Sequence, residues 1–204
     1  MFIIGITGGS GTGKTAALHA LKSLGVLALD CDAVYHELLS SDGELKTELA
    51  ERFKDVLRDG AIDRKLLSEI AFTDPSALRD LNAITHKYIS AEIDLLISGW
   101  AARGGTAAAI EAIALIESGK AKSCNVVVGV SAQRETRISR IIKRDGITRE
   151  QAEKRVNAQK PDGYYIKNCD HILESNCTRP AEFVKKCKLF FSALLQEQGI
   201  ETSL

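Results

Sequence analysis

The sequence predicts an α/β fold on a five-stranded, mainly parallel sheet, and three observations predict it. Short apolar runs alternate with stretches in which apolar residues recur every three or four positions, the pattern of helices packed on both faces of a parallel sheet. A glycine-rich turn, Gly8-Gly9-Ser10-Gly11-Thr12-Gly13-Lys14-Thr15, stands where the first run should pass into a helix. The spacing of the runs is uneven and leaves room for two helical excursions from the sheet.

Taken in order, the strand-like runs are 2–6, 26–29, 107–113, 125–130 and 171–173. After 29 the next run waits until 107, and the residues between read as helical throughout. A helix is predicted over 33–39. Asp74-Pro75 supplies a cap and a first-turn proline for a long helix reaching about Arg103, which Gly104-Gly105 then breaks. Gly60-Ala61-Ile62-Asp63-Arg64 reads as a turn leading into a helix. A second helix-rich stretch follows the fourth strand, from Ala132 to Lys167, with Thr148-Arg149-Glu150-Gln151 as a capping box.

The chain has 204 residues, 45% hydrophobic and 26% charged, enough for one sizeable domain with an insert but short for two independent ones. Lys plus Arg and Asp plus Glu are 27 each, so no overall field draws the protein to nucleic acid or to acidic lipid. The 5 cysteines form no C-x-x-C pair, which argues against a disulfide framework or a structural zinc site and for a reducing compartment. The chain enters Phe2-Ile3-Ile4 without a basic leader, and the most apolar later stretch, 106–116, is interrupted by Glu111 and too short to span a bilayer. The expectation is a cytoplasmic protein with no membrane segment and no obligate protein partner.

Gly8, Gly13, Lys14 and Thr15 meet the pattern G-x-x-x-x-G-K-[ST]. In that pattern backbone N–H groups turn inward around phosphate oxygens, the lysine reaches the β- and γ-phosphates, and the hydroxyl coordinates Mg²⁺. The helix that follows directs its positive end at the nucleotide. Gly9, Gly11, Thr12, Gly13, Lys14, Thr15 and Ala16 are therefore the nucleotide-binding candidates, with ATP as co-substrate and Lys14 as a solvent-facing phosphate contact. The fold expected is a P-loop three-layer one, with a helical substrate-domain insert and a lid. The nucleotide core is expected over 1–32 and 107–204, the insert over 33–106 and the lid over 140–168.

Leu29-Asp30-Cys31-Asp32 puts two carboxylates at the end of strand two, the edge where α/β folds bind ligands. In extended chain, residues two apart face the same side, so both acids could meet one ligand. One would take a proton from an attacking hydroxyl, and the other would hold magnesium through water. The alternative is a helix cap. For metal, the candidates are Thr15 and Asp30.

Between Arg134 and Lys160 stand nine basic residues against four acidic ones. Arg137, Arg140 and Arg144 share one helical face, opposite Ile138, Ile141 and Ile142. Phosphoryl transfer uses cations that close on the migrating group. Arg140 is the candidate for catalysis and Arg144 for nucleotide contact, against the alternative of a solvated face. On pattern alone His86 reads as structural, Glu117 as either cleft-lining or exposed, and the cysteines as small buried hydrophobes.

These segments, in this order, resemble the dephospho-coenzyme A kinase family almost end to end. They are Thr7-Gly8-Gly9, Asp30-Cys31-Asp32, Ile62-Asp63-Arg64, Leu81-Asn82 with His86, Arg140 with Arg144-Asp145, and Ala158-Gln159. The resemblance implies ATP-dependent phosphorylation of the ribose 3′-hydroxyl of dephospho-coenzyme A. It implies Asp32 as the base, and Asp32, Arg64, His86 and Glu117 as substrate-binding residues. The sequence departs from the family pattern at Lys87, where proline is usual, and at Ile113, where a P-L-L-x-E segment normally begins. Tyr165 stands at the place of a lid lysine, two residues before Lys167, and Glu174-Ser175-Asn176 replaces an Asn-rich strand end near adenine.

Two other readings compete with it: another small-metabolite kinase, of the nucleoside monophosphate or shikimate type, and a nucleotide-binding regulator without turnover. The long helical insert and Ile62-Asp63-Arg64 count against the first. For the second, the run Val126–Val130 lacks a terminal Asp, but the carboxylates of Asp30 and Asp32 remain.

Overall fold

The computed structural model describes residues 1–177 and 179–202. Among them the chain runs β1 (Phe2–Thr7), α1 (Lys14–Ser23), β2 (Leu27–Asp30), α2 (Cys31–Ser41), α3 (Gly43–Arg52), β3 (Leu57–Arg58), β4 (Ala61–Ile62), α4 (Arg64–Thr73) and α5 (Pro75–Ala102). It continues with β5 (Ala107–Glu111), a 3₁₀ turn (Lys120–Ser123), β6 (Val126–Ser131), α6 (Arg134–Asp145), α7 (Arg149–Asn157), α8 (Asp162–Asn168), β7 (His171–Glu174) and α9 (Pro180–Glu197). Packing divides it into two units: Met1–Asp30 with the chain from Trp100 onward, and Cys31–Gly99.

The first unit holds the sheet, in strand order β2-β5-β1-β6-β7, with every neighbouring pair parallel. Alternation along β1 sends Ile4 and Ile6 into one core with Ala17 and Leu21 of α1 and Phe183 and Phe191 of α9, all at most 2% exposed. Burying each large apolar side chain contributes about 1.5–3 kcal/mol, so this one face holds α1 and α9 on the sheet. Gly5 belongs to the other face, against Leu115 and Cys124. The order brings the carboxyl ends of β1, β2 and β5 to one edge, where the phosphate loop leaves β1.

In the second unit Val34, Leu38, Leu45, Leu49, Phe53 and Val56 form a separate core from α2, α3 and the segment after α3. Asp42 caps α3 by accepting from Leu45 N–H at 2.9 Å, and Asp63 caps α4 by accepting from Leu66 N–H at 3.0 Å. The expectation that this region is wholly helical is corrected: β3 and β4 pair antiparallel, Leu57 with Ile62 and Arg58 with Ala61. The cause is Asp59-Gly60, with φ 50° and 76°; an Asp-Gly pair suits the two-residue turn whose central residues both have positive φ.

The long helix starts at Pro75 as predicted, with Asp74 Oδ1 accepting from Ser76 N–H at 2.8 Å. It ends where Gly104 and Gly105 donate back to Ala101 and Trp100. Both halves of the Thr148/Gln151 capping box form. The strand ends differ from expectation: β1, β2, β6 and β7 each run one residue further, to Thr7, Asp30, Ser131 and Glu174, and β5 stops at Glu111 rather than Ile113. Helix α2 starts at Cys31, so Asp30 and Asp32 do not share an extended segment; the first ends a strand and the second lies in a helix's first turn.

Candidate active site

The phosphate loop leaves β1 at Thr7 and enters α1 through Gly13, whose φ of 109° a side chain would oppose. The first turn of α1 carries no acid, so its dipole and N–H groups favour an anion. Thr15 is exposed there. The Gly9 carbonyl gathers Thr12 Oγ1 at 2.9 Å and Lys14 Nζ at 3.3 Å. Lys14 is not solvent-facing as expected but 8% exposed, with its ammonium 3.5 Å from Glu111 Oε1.

Glu111 is the residue that sequence reasoning passed over. In the sequence it reads only as a break in an apolar run, and the Val126–Val130 run lacks a terminal acid. The topology makes β5 a neighbour of both β1 and β2, with Glu111 the register partner of Ile6 and of Asp30. Register partners on parallel strands leave the same face. Two carboxylates thus sit side by side at the strand ends, an arrangement that is unfavourable without nearby cations. The signal was present: Ala107-Ala108-Ala109-Ile110-Glu111 is a buried strand ending in an acid.

The arginine face of α6 divides three ways. Arg137 is 5% exposed; its Nε donates to Ser10 O at 3.0 Å and its Nη2 to Gln159 Oε1 at 2.8 Å. Arg140 Nη1 donates to Gly11 O at 3.1 Å, Thr12 O at 3.2 Å and Ser175 Oγ at 3.0 Å, and its Nη2 to Ser175 O at 2.9 Å. Burial lowers the pKa of Arg140, but a guanidinium stays charged in any protein setting. Arg144 is exposed and forks onto Asp145 at 2.7 and 3.0 Å. Arg155 shares that carboxylate, and the arginines together hold its pKa below the usual range.

Glu117 lies exposed in the turn after β5. Tyr165, where a lid lysine was expected, is buried; desolvation, with the charge of Glu117 adding to it, pushes its hydroxyl up to about 12. It therefore offers no cation, and Lys167 lies exposed in the last turn of α8. Asn176 Oδ1 accepts from Gln133 N–H at 3.0 Å. None of the five cysteines forms a disulfide; Cys187 is buried as expected and the other four are only half-buried, and burial raises Cys124 and Cys169 to about 11 and Cys187 to about 12.

In the second unit Asp32 is exposed in the first turn of α2, one turn before His36. Arg64 Nη2 lies 3.2 Å from His36 Nε2. A guanidinium only donates, so that ring nitrogen is the acceptor. His86 is half-buried, and desolvation lowers its pKa.

A parallel sheet whose first strand feeds a glycine-rich loop, a lysine and a helix N-terminus defines a P-loop kinase fold. Residues 2–180 match the family model for dephospho-CoA kinase. The dephospho-CoA kinase of Dehalococcoides mccartyi is 38% identical, across 92% of this chain and 94% of its own length. That of Geobacter sulfurreducens is 37% identical, across 91% and 95%. The chain belongs to the dephospho-CoA kinase family. A solved Thermus thermophilus protein superposes with a TM-score of 0.78 at 28% identity, over 96% of this chain and 97% of that one. A shikimate kinase from Bacteroides thetaiotaomicron, at 13% identity and TM-score 0.53 over 96% and 98%, shares the fold alone.

Proposed function

We infer that the protein transfers the γ-phosphoryl group of ATP to the ribose 3′-hydroxyl of dephospho-coenzyme A, giving coenzyme A and ADP. The family match across residues 2–180 carries this reading, and the loop and helix geometry supports it. The ribose oxygen bonds to the γ-phosphorus as the bond to the β,γ-bridging oxygen breaks, and ADP leaves with that electron pair. Catalysis of this kind is mainly positioning and charge neutralisation.

In this reading the backbone of Gly9, Gly11, Thr12 and Gly13 and the first turn from Lys14 to Ala16 bind the phosphates. Lys14 turns from Glu111 to the β- and γ-oxygens, and Arg144 meets the nucleotide from the lid. Arg140 is assigned to catalysis, through its hold on the Gly11 and Thr12 carbonyls. Asp32 takes the ribose proton, and Arg64, His86 and Glu117 bind the acceptor. The insert over 33–106 and the lid over 140–168 are the segments assigned to acceptor and closure.

The Thr15 hydroxyl with the Asp30 and Glu111 carboxylates is an all-oxygen donor set, the kind a hard cation prefers. When bound, Mg²⁺ would neutralise charge on the β- and γ-phosphates. Among the described residues no helix is long and apolar enough to cross a membrane, and a cytoplasmic location belongs to the same reading.

The test is ATP turnover, coupled to ADP detection, with dephospho-coenzyme A, AMP, UMP and shikimate offered in parallel. Turnover with dephospho-coenzyme A alone is expected. Preferred turnover of another acceptor would replace the substrate, and nucleotide binding with no turnover would make the protein a regulator.

A further inference from the structure

Arginines of α6 hold three consecutive carbonyls of the phosphate loop, those of Ser10, Gly11 and Thr12. A trans peptide is planar, with its N–H opposite its C=O. Drawing these carbonyls toward α6 therefore turns the N–H groups of Gly11 and Gly13 away from it, while that of Thr12 donates to the Gly9 carbonyl at 3.4 Å.

Ser10 is held from a second side as well. Gln159, between α7 and α8, accepts from Ser10 N–H through Oε1 at 2.8 Å and donates from Nε2 to Ser10 Oγ at 2.7 Å. Since Oε1 also accepts from Arg137 Nη2 at 2.8 Å, the amide has one satisfactory orientation. Arg137 Nη1 in turn lies 3.7 Å from Asp162 Oδ1. All three nitrogens of the guanidinium face protein oxygens.

The glycines agree with this reading. Gly9 and Gly11 fall at positions that the phosphate-loop pattern leaves open. A Cβ on Gly9 would lie 2.2 Å from Arg137 Nη2, and one on Gly11 would lie 2.6 Å from the Arg137 carbonyl oxygen. Close approach of Arg137 is what these two positions accommodate.

We propose that Arg137 and Gln159 are positioning residues that grip Ser10 and aim the loop's N–H donors at the nucleotide phosphates without touching the nucleotide. This rests on the kinase reading of the loop and deepens it. The Ser10 N–H is spent on Gln159 and is not one of those donors.

Gln159→Leu removes all three amide contacts at similar size. Arg137→Lys keeps the charge, but one ammonium cannot serve Ser10, Gln159 and Asp162 together. Affinity for Mg·ADP is read by calorimetric titration, at a temperature where circular dichroism shows each variant folded. A small misplacement near reacting groups is costly, so both variants are expected to bind about tenfold more weakly or worse. The KM for dephospho-coenzyme A should move by less than about twofold.

Unchanged Mg·ADP affinity, with only a lower melting temperature, would overturn the proposal and leave a structural brace. A larger effect on the acceptor KM than on Mg·ADP would overturn it too. If Arg137→Lys fails to fold, Gln159→Leu at its half-buried site carries the test. Because nucleotide binding is read directly, a wild type inactive toward dephospho-coenzyme A would sink the acceptor assignment and leave this result interpretable.

Discussion

The Lys14 ammonium lies 3.5 Å from Glu111 Oε1, with the two side chains 8% and 9% exposed. Removing one member of a shielded ion pair leaves the other charge uncompensated, which costs more than the pair itself contributes. In the proposed function, nucleotide phosphate oxygens would compete with Glu111 for the ammonium, and the pair would couple loop stability to nucleotide charge.

Lys14→Ala is expected to abolish transfer and weaken ATP binding. It should also lower the melting temperature, because Glu111 loses its cation. Adding Glu111→Gln to that variant should recover part of the stability and none of the activity. Thermal melts and ATP titrations of the single and double variants check this; additive losses of stability would mean the pair is not coupled.

Glu111→Gln alone keeps shape and removes charge. If Glu111 and Asp30 together attract the magnesium, the variant should need a higher Mg²⁺ concentration for half-maximal rate, with kcat lower by about tenfold or more. A Mg²⁺ titration of the rate is the measurement. An unchanged titration curve would confine Glu111 to its partnership with Lys14.

Arg140→Ala is expected to lower kcat more than it raises the KM for dephospho-coenzyme A, since its contacts hold the loop and Ser175. Arg140→Lys should not rescue, because a point charge cannot bond Gly11, Thr12 and Ser175 at once. Steady-state kinetics in both substrates decide it; a loss confined to the acceptor KM would make Arg140 a binding residue.

The sequence marked the phosphate loop, the long helix and the capping box clearly because each rests on local chemistry: glycines before a lysine, a proline after an aspartate, a threonine three before a glutamine. The sheet's strands were legible from their apolar runs. Glu111 was not, because its meaning depends on strand order, a non-local property that sets β5 between β1 and β2. Arg137 was hidden for a related reason. Helical periodicity put it on the charged face, but packing against the loop buried it. The Asp59-Gly60 hairpin is the opposite case, a local turn signal outweighed by the helical reading of its neighbours.

Asp63, read from the sequence as part of a family segment, caps α4 through its carboxylate. Asp63→Ala is expected to cost about 1 kcal/mol of stability, a fall in melting temperature of about 2–4 °C for a chain of this size. Asp63→Asn should cost little, as asparagine caps equally well. Equal losses in both variants would assign the effect instead to the ion pair of Asp63 with Arg58.

Asp32→Asn tests the proposed base. A ribose hydroxyl is a poor nucleophile at neutral pH, and its proton must leave as oxygen attacks phosphorus. Asp32 is exposed in the first turn of α2, where an acid suits the positive helix end and asparagine is tolerated. The variant should therefore fold normally and still bind both substrates. Positioned bases contribute about 10²–10⁴-fold, and in phosphoryl transfer the low end is expected because positioning and charge carry most of the acceleration. A fall in kcat of about 10²-fold, with both KM values little changed, is the outcome that fits. Asp30→Asn should be milder, because Glu111 stands beside it in register. If Asp30→Asn is the crippling change and Asp32→Asn nearly silent, the two roles are reversed. If neither lowers kcat, the proton leaves by another route, and Asp32 does no more than stabilise the start of α2.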